Sequence, residues 1–311
     1  MSPGENTNGD VYDVAIVGGG PAGLSAALWL ARYLHRVVVV DKGDPRNWET
    51  RGINGILGSQ GIRSPELRRK GRDDARRFGA EFIDDTVNDV QNLNAERFSL
   101  TLANNGKIAA RRLLLAIGIR DVWPQIPGLG ECYGETAHVC PDCDGYETRG
   151  CKTVVVGSGR KAVGMALNLT TWTDQIVICT NGKPAEMTQG YLDKLKASNI
   201  PILETEISRI TSNDGEIRCM NLEGGMQLDC QRLYFAIGQY PADDLGVQLK
   251  CERDDEGYIV VDDKHRTSVL NVFAAGDIVP GPQLAIAAAS DGAIAALSIH
   301  ASLVPEGRKL D

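Results

Sequence analysis

The sequence predicts an α/β fold with two Rossmann-like nucleotide-binding domains, each of three ββα layers, the second inserted into the first. A glycine-rich loop between two buried strands occurs twice, about 140 residues apart. A strand that ends in Ala-Ile-Gly also occurs twice, and a strand near the end of the chain delivers an acid. We therefore expect residues 1–121 and 242–311 to form the first domain and residues 122–241 to form the second.

The first βαβ unit begins with a buried strand at Val11–Val17, and a helix separates it from a second buried strand at Val37–Val40. The loop after the first strand has the G-x-G-x-x-G spacing. This spacing allows a tight turn and close approach of a pyrophosphate to a helix N-terminus. Asp41 ends the second strand, where an acid accepts hydrogen bonds from an adenosine ribose. The loop glycines are Gly18, Gly20 and Gly23.

The second βαβ unit repeats this pattern from Lys152. A strand at Thr153–Val156 leads into the loop Gly157–Ala162, in which alanine is the third small residue. A helix to about Thr171 and a strand at Gln175–Cys179 follow. The repeat predicts a second nucleotide-binding domain on the same chain.

Three further strands complete the plan. The segments Leu113–Gly118 and Leu233–Gly238 both end in Ala-Ile-Gly, and a proline-containing connection of the kind that links domains follows each. Val272–Asp277 is a strand that delivers an acid, and a small, alanine-rich helix is expected from about Gln283 to Leu297.

The composition indicates a globular protein with no nucleic-acid partner. Of 311 residues, 42% are hydrophobic and 24% are charged, and the formal net charge is -8. Residues Met1–Tyr12 are polar, so we expect no signal peptide. The apolar runs have the length of strands, too short to span a bilayer. These features predict a cytoplasmic protein without a membrane partner.

Cys140 and Cys143 are the one C-x-x-C pair among eight cysteines. In a cytosolic chain such a pair is typical of redox catalysis or of metal binding. Asp144 follows directly and is placed to deliver or remove a proton. Cys132, His138 and Cys151 are near enough in sequence to keep a zinc site as an alternative. The remaining cysteines, which we expect to be small buried hydrophobic residues, are Cys179, Cys219, Cys230 and Cys251.

The order of these motifs resembles the low-molecular-weight thioredoxin reductases of the pyridine nucleotide-disulfide oxidoreductase superfamily. The resemblance covers nearly the whole chain: first glycine loop, Ala-Ile-Gly strand, Cys pair with Asp-Gly, second loop, second Ala-Ile-Gly, and Ala-Ala-Gly-Asp. It implies an FAD in the first domain, with its pyrophosphate over the first loop. Family members usually have Arg-Gln where this chain has Pro282-Gln283, so the arginine contact is expected to be lost. The implied FAD-binding residues are Gly18, Gly20, Pro21, Ala22, Gly23, Asp41, Asn54, Gly118, Gly276, Asp277, Gln283, Leu284 and Ala285.

The resemblance also implies how the Cys pair works. Cys143 would face the flavin ring, Cys140 would attack a protein disulfide, and Asp144 would be the general acid and base. His138 is a secondary candidate for proton transfer, with a packed or surface role favoured.

The chain departs from the family at the second loop. NADPH-dependent members carry a His-Arg-Arg run after the second strand of the second unit. This chain instead continues Thr180-Asn181-Gly182-Lys183, in which one lysine cannot replace a bidentate arginine clamp. NADPH is therefore an unlikely cofactor, and Gly157–Gly159 is expected to be vestigial or to hold another nucleotide, such as a second flavin.

The leading prediction is a disulfide reductase that acts on thioredoxin or a similar small dithiol protein. A ferredoxin-type donor would supply electrons, and the resemblance implies a homodimer. The alternative is a flavin-dependent dithiol oxidase that uses oxygen. Family members of that kind tend to carry histidine directly after the second cysteine, whereas this chain has Asp144.

Overall fold

The computed structural model describes residues 11–46, 50–94, 96–104, 106–242 and 244–308. The chain divides into two compact units: unit 1 covers the described parts of Met1–Trp48, Gly55–Arg120 and Tyr240–Asp311, and unit 2 covers the described parts of Glu49–Asn54 and Asp121–Gln239. No signal peptide is expected in the polar segment Met1–Tyr12. Positions 1–10 of this segment lie outside the described residues.

The helices and strands follow in chain order. The first part has β1 (Tyr12–Val17), α1 (Pro21–Arg32), β2 (Val37–Asp41), α2 (Ser64–Arg76), β3 (Glu81–Asp84), β4 (Val87–Asn94), β5 (Arg97–Leu102), β6 (Lys107–Leu115) and β7 (Ile119–Asp121). The middle has α3 (Leu129–Cys132), β8 (Ala137–His138), α4 (Pro141–Asp144), β9 (Thr153–Val156), α5 (Gly159–Leu169), β10 (Ile176–Cys179), α6 (Gln189–Ala197), β11 (Ile202–Leu203), β12 (Ile207–Asn213), β13 (Glu216–Leu222), β14 (Gln227–Leu228), β15 (Arg232–Phe235) and β16 (Gln239–Pro241). The last part has α7 (Leu245–Gln248), β17 (Val272–Ala274) and α8 (Ala285–Leu303).

Unit 1 contains a sheet in the order β3-β2-β1-β6-β5-β4, with β17 also paired to β6. Strands β3, β2, β1, β6 and β17 are parallel, whereas β4, β5 and β6 pair antiparallel. Alternate residues of β1 face opposite sides, so Ile16 packs among α1 and α8 while Ala15 packs among residues such as Phe98 and Leu100. The parallel sheet therefore has a helical layer on one face and a β layer on the other.

Unit 2 repeats this layering around five parallel strands in the order β11-β10-β9-β15-β8. Val155 of β9 packs against Leu169 of α5 and Leu195 of α6. Its neighbours Val154 and Val156 pack on the other face with the antiparallel sheet β12-β13-β14. The predicted α/β fold with Rossmann-like ββα layers is thus confirmed.

The predicted elements of both βαβ units are present, with shifts of a few residues at their ends. Two elements are longer than predicted: β6 begins at Lys107, and α8 runs to Leu303. The helix α8 also begins after Gln283 and not at it. The short strand β7 precedes the first predicted connection and pairs with β16, which forms the second, as a two-stranded sheet.

The helix α8 corrects one expectation. Within the described residues it is the one helix long and apolar enough to cross a membrane, although the sequence was predicted to lack such a segment. Polar residues such as Asp291 interrupt its apolar run, which hid its length in the sequence. In the structure, Gly292 of α8 lies so close to α1 that an added Cβ would stand 2.0 Å from the Ala22 carbonyl oxygen. One face of α8 is buried in this packing, through Ala288, Gly292, Ala295, Ala296 and Ile299.

Candidate active site

The two predicted redox cysteines lie at the start of α4. Cys140 and Cys143 are joined by a disulfide, and their Cα atoms are 5.3 Å apart. Cys140 has an extended backbone and caps the helix, with its Sγ accepting a hydrogen bond from the Cys143 N–H at 3.2 Å. Pro141 suits the first helical position because its φ is preset and no N–H donor is needed there. The C-x-x-C spacing therefore brings both sulfurs together within one helical turn.

Close packing holds the C-terminal end of α4. The Gly145 N–H donates to the Pro141 carbonyl oxygen at 2.8 Å. An added Cβ on Gly145 would lie 2.5 Å from that oxygen and 2.6 Å from Cε3 of the Trp172 ring. Only a glycine fits without movement of its neighbours. Asn54, predicted to lie near the flavin, belongs to unit 2 and donates from Nδ2 to the Cys143 carbonyl oxygen at 3.0 Å.

Asp144 faces a buried histidine. The Nδ1 atom of His138, at the end of β8, lies 3.4 Å from Oδ2 of Asp144. The side chain of His138 is 6% exposed and that of Asp144 is 22% exposed. The Nε2 atom of His138 is buried and meets no hydrogen-bond partner among the residues that the structure describes. The secondary candidate for proton transfer is therefore next to the predicted acid.

Two residues that the sequence did not indicate complete this cluster. The Thr148 hydroxyl donates to the Asp144 carbonyl oxygen at 3.2 Å and shares a 2.8 Å hydrogen bond with the Tyr234 hydroxyl. The Tyr234 ring centroid is 5.4 Å from that of His138. Burial, and secondarily the charge of Asp144, raise the pKa of Tyr234, so its phenol stays protonated.

The first glycine loop shows the shape that a pyrophosphate needs. A Cβ added to Gly18, whose φ is +108°, would lie 2.2 Å from the Ala116 carbonyl oxygen. One added to Gly23 would lie 2.0 Å from the Gly18 carbonyl oxygen. Gly20, by contrast, has nothing within 4 Å of an added Cβ. The loop is thus packed on its inner side and open at Gly20, just before Pro21 begins α1, which fits an anion at a helix N-terminus.

Asp41 ends β2 beside this loop, and its carboxylate is already paired. Arg68 of α2 contacts Asp41 Oδ2 and donates from Nε to the Gly19 carbonyl oxygen at 3.3 Å. The Gly43 N–H donates to Asp41 Oδ1 at 3.2 Å. Both charged side chains are nearly buried, at 8% and 11% exposed, so Arg68 compensates a carboxylate that lies largely out of water.

Asp277 and Gln283 are joined by an arginine from a distant part of the chain. Arg46 lies 3.2 Å from Asp277 Oδ2 and donates to Gln283 Oε1 at 3.0 Å. Gln283 donates from Nε2 to the Tyr258 hydroxyl at 2.9 Å. Although Pro282 stands where family members have arginine, the structure therefore supplies a guanidinium from residue 46.

The other predicted FAD-binding residues also lie in unit 1. Gly118 follows β6 and Gly276 follows β17, both at positive φ, of +68° and +81°. Leu284 caps α8 and Ala285 begins it. Because β1, β2, β6 and β17 are parallel, their carboxyl ends meet at one edge of the sheet, where ligands of open α/β sheets bind. These residues fit FAD.

The second glycine loop is hydrogen-bonded to the segment that follows β10. The Glu186 N–H donates to the Ser158 hydroxyl at 2.8 Å, and the Glu186 carbonyl oxygen lies 3.5 Å from the position of a Cβ on Gly159. The Asn181 side chain accepts from the Ile207 N–H at 2.8 Å. The Ser158 hydroxyl and the Asn181 side chain thus accept hydrogen bonds from backbone N–H groups of this chain.

Two acids also lie beside this segment. Glu204 accepts from the Ala185 N–H at 2.7 Å, and the Glu206 Cβ lies 3.1 Å from the position of a Cβ on Gly182. Parallel pairing of β10 with β11 brings these acids next to residues some 20 positions earlier, so the sequence pattern did not reveal them.

Cys132, Cys179 and Cys230 lie in one hydrophobic cluster of unit 2, whereas Cys251 lies in a cluster of unit 1. Within the described residues no group of three metal-ligating side chains occurs, and Cys140 and Cys143 are bonded to each other. Cys179, Cys230 and Cys251 are buried as predicted, and burial raises the pKa of Cys230 to about 12. Cys219 is only half-buried, which corrects its predicted burial, because it lies on β13 of a small sheet.

Comparison with known proteins identifies the family. A family model described as pyridine nucleotide-disulphide oxidoreductase matches residues 12–292. The thioredoxin reductase of Treponema pallidum (strain Nichols) is 31% identical over 304 residues, which cover 92% of this chain and 95% of that protein. The putative thioredoxin reductase TrxB from Bacillus anthracis has a TM-score of 0.87 at 28% identity, covering 94% of this chain and 98% of that one. The structure of HlmI has a TM-score of 0.90 at 34% identity, covering 95% of each chain. The chain therefore belongs to the pyridine nucleotide-disulphide oxidoreductase family and is a flavoprotein disulfide oxidoreductase with the thioredoxin reductase fold.

Proposed function

We propose that the protein is an FAD-dependent disulfide reductase that reduces thioredoxin or a similar small dithiol protein without NADPH. The observation that carries the proposal is the Cys140–Cys143 disulfide within one helical turn, directly followed by Asp144. Residues 1–121 and 242–311 would be the FAD-binding domain, and residues 122–241 would be the domain that carries the Cys pair. The residues from Gly18 to Gly23, with Asp41, Gly118, Asp277 and Gln283, would hold FAD.

The chemistry at the Cys pair is thiol–disulfide exchange. FAD held by the residues of unit 1 would supply, in its reduced form, the electron pair that opens the disulfide. In the dithiol form, the Cys140 thiolate attacks the substrate disulfide, forming a mixed disulfide and releasing one substrate thiolate. Cys143 then attacks the Cys140 sulfur, restoring the intramolecular disulfide and releasing the second substrate thiolate. The two protons from Cys140 and Cys143 pass to the substrate sulfurs, and Asp144 is placed to transfer them.

Independence from NADPH is supported by the surroundings of the second loop. Lys183 is the one basic residue from position 180 to 190, and a single ammonium cannot form the bidentate fork of an arginine. Glu204 and Glu206 lie next to that segment, where like charge would repel a 2′-phosphate. The Glu186 N–H also occupies the Ser158 hydroxyl of the glycine loop. Each feature weakens NADPH binding, and together they leave no cationic clamp.

The donor and setting follow from these features and from the relatives. We infer a ferredoxin-type protein or a second flavin as donor, since a protein donor needs no nucleotide loop. Because several relatives are bacterial thioredoxin reductases, we also infer thioredoxin as the substrate, a homodimer and a cytoplasmic location.

The test is single-turnover reduction of thioredoxin. The purified protein is reduced photochemically without oxygen, mixed with oxidised thioredoxin, and assayed for thioredoxin thiols. We expect about one dithiol per reduced chain from the parent and none from Cys140→Ser. An absence of transfer from the parent, together with rapid oxygen consumption when a small dithiol is added, would favour the dithiol oxidase instead.

A further inference from the structure

The pairing of His138 with Asp144 places a second titratable group in contact with the predicted acid. The imidazole lies on β8 and the carboxylate on α4, and the two approach to 3.4 Å between Nδ1 and Oδ2. Asp144 retains a solvent-exposed fraction, whereas His138 is almost fully buried. The pair therefore connects the C-terminal end of α4, the redox helix, to the interior of unit 2.

The buried side of His138 is the second observation. Its Nε2 atom lies out of solvent and meets no hydrogen-bond partner among the described residues. Such an atom lowers stability, and a hydrophobic side chain of similar volume would avoid the loss. A purely structural explanation thus accounts poorly for an imidazole at this position.

We propose that His138 is a positioning residue that shares a proton with Asp144 and thereby keeps that carboxyl able to protonate the sulfur that departs during exchange. This inference rests on the exchange chemistry proposed for Cys140 and Cys143. It assigns to His138 the task of holding the proton that Asp144 transfers.

An attacking thiolate forms a bond to one sulfur of the Cys140–Cys143 disulfide, the S–S bond breaks, and the other sulfur leaves as a thiolate. The proton that Asp144 and His138 share passes from the Asp144 oxygen to that thiolate, which leaves the carboxylate beside the neutral imidazole. Solvent then returns a proton to Asp144, the more exposed member, and the pair shares it again.

The other side chains around His138 and Asp144 are less suited to transferring this proton. Tyr234 on β15 packs against His138, and burial raises the pKa of its phenol, so that side chain stays neutral. The charge of Glu147 raises the pKa of the same phenol, whereas the charge of Arg232 lowers it. Thr148 carries no titratable proton in the working range. Asp144 and His138 are therefore the carboxyl and imidazole groups of this cluster that face each other.

The test measures how fast dithiothreitol opens the Cys140–Cys143 disulfide as a function of pH. The holoprotein is mixed with dithiothreitol without oxygen, quenched with an alkylating agent, and analysed for alkylation of Cys140 and Cys143 by mass spectrometry. His138→Asn places an amide N–H donor near the position of Nδ1, but it cannot titrate. We expect this variant to react about tenfold more slowly than the parent near pH 6, and within about twofold of it near pH 9.

Two controls keep the outcome interpretable. His265 is another largely buried histidine, with its Nε2 3.6 Å from Asp291 Oδ1 in unit 1, so His265→Asn should match the parent at every pH. His138→Phe should react at least as slowly as His138→Asn; if it does not fold, His138→Asn carries the test. A parent-to-variant ratio that is the same at every pH would overturn the proposal, since a purely structural role gives a constant ratio. A parent whose disulfide does not open at all would instead overturn the proposed function.

Discussion

Replacement of Gly145 by alanine tests whether close packing positions the redox helix. The backbone at Gly145 has φ of -65° and ψ of -31°, which any residue can adopt, so the effect of alanine is steric alone. The new methyl group would meet the Pro141 carbonyl oxygen at 2.5 Å and the Trp172 ring at 2.6 Å. Neither neighbour is the free end of a flexible side chain, so α4 must move. Overpacking of this kind costs about 1–3 kcal/mol.

The assay for Gly145→Ala combines urea unfolding with the rate at which dithiothreitol opens the disulfide. We expect a lower unfolding midpoint and an altered opening rate. Gly164 of α5 is the matched control, because it is exposed and an added Cβ there meets nothing within 4 Å. Gly164→Ala should raise stability by about 0.5–1 kcal/mol, the usual gain of alanine over glycine in a helix. The reasoning is wrong if Gly145→Ala matches the parent in both stability and opening rate.

Two further predictions concern unit 1. Arg68→Ala leaves the buried Asp41 carboxylate without its partner and should cost about 3–5 kcal/mol in urea unfolding, whereas Arg68→Ala with Asp41→Asn should recover most of that loss; no recovery would contradict the ion-pair explanation. Burial lowers the pKa of His35 below 6.5, so the unfolded chain binds more protons and the free energy of unfolding should fall as pH drops through about 6.5. Denaturation at several pH values should show a shallower fall for His35→Asn, and an identical fall would exclude His35 as the cause.

The sequence predicted the parts of this molecule that depend on neighbours along the chain. The four valines of β2 are nearly without exposure, as a continuous β-branched run in a parallel strand requires. The glycines of the first loop and the C-x-x-C pair act over a few residues, so their spacing alone indicated their geometry.

The parts that the sequence did not indicate come from distant segments. Arg46 reaches Asp277, Arg68 reaches Asp41, and Glu204 reaches the segment after β10. Surface arginines and glutamates are common, and nothing in their local pattern marks the ones that tertiary packing brings to a site. The pairing of His138 with Asp144 was equally hidden, because it depends on how β8 and α4 pack.

We propose that electrons leave the flavin through Cys140 and Cys143 but do not enter it from NADPH. The most direct measurement mixes the purified holoprotein with NADPH in the absence of oxygen and follows the flavin absorbance. We predict no reduction on the timescale of turnover, while photochemical reduction of the same sample is complete. Rapid bleaching of the flavin at micromolar NADPH would contradict the account.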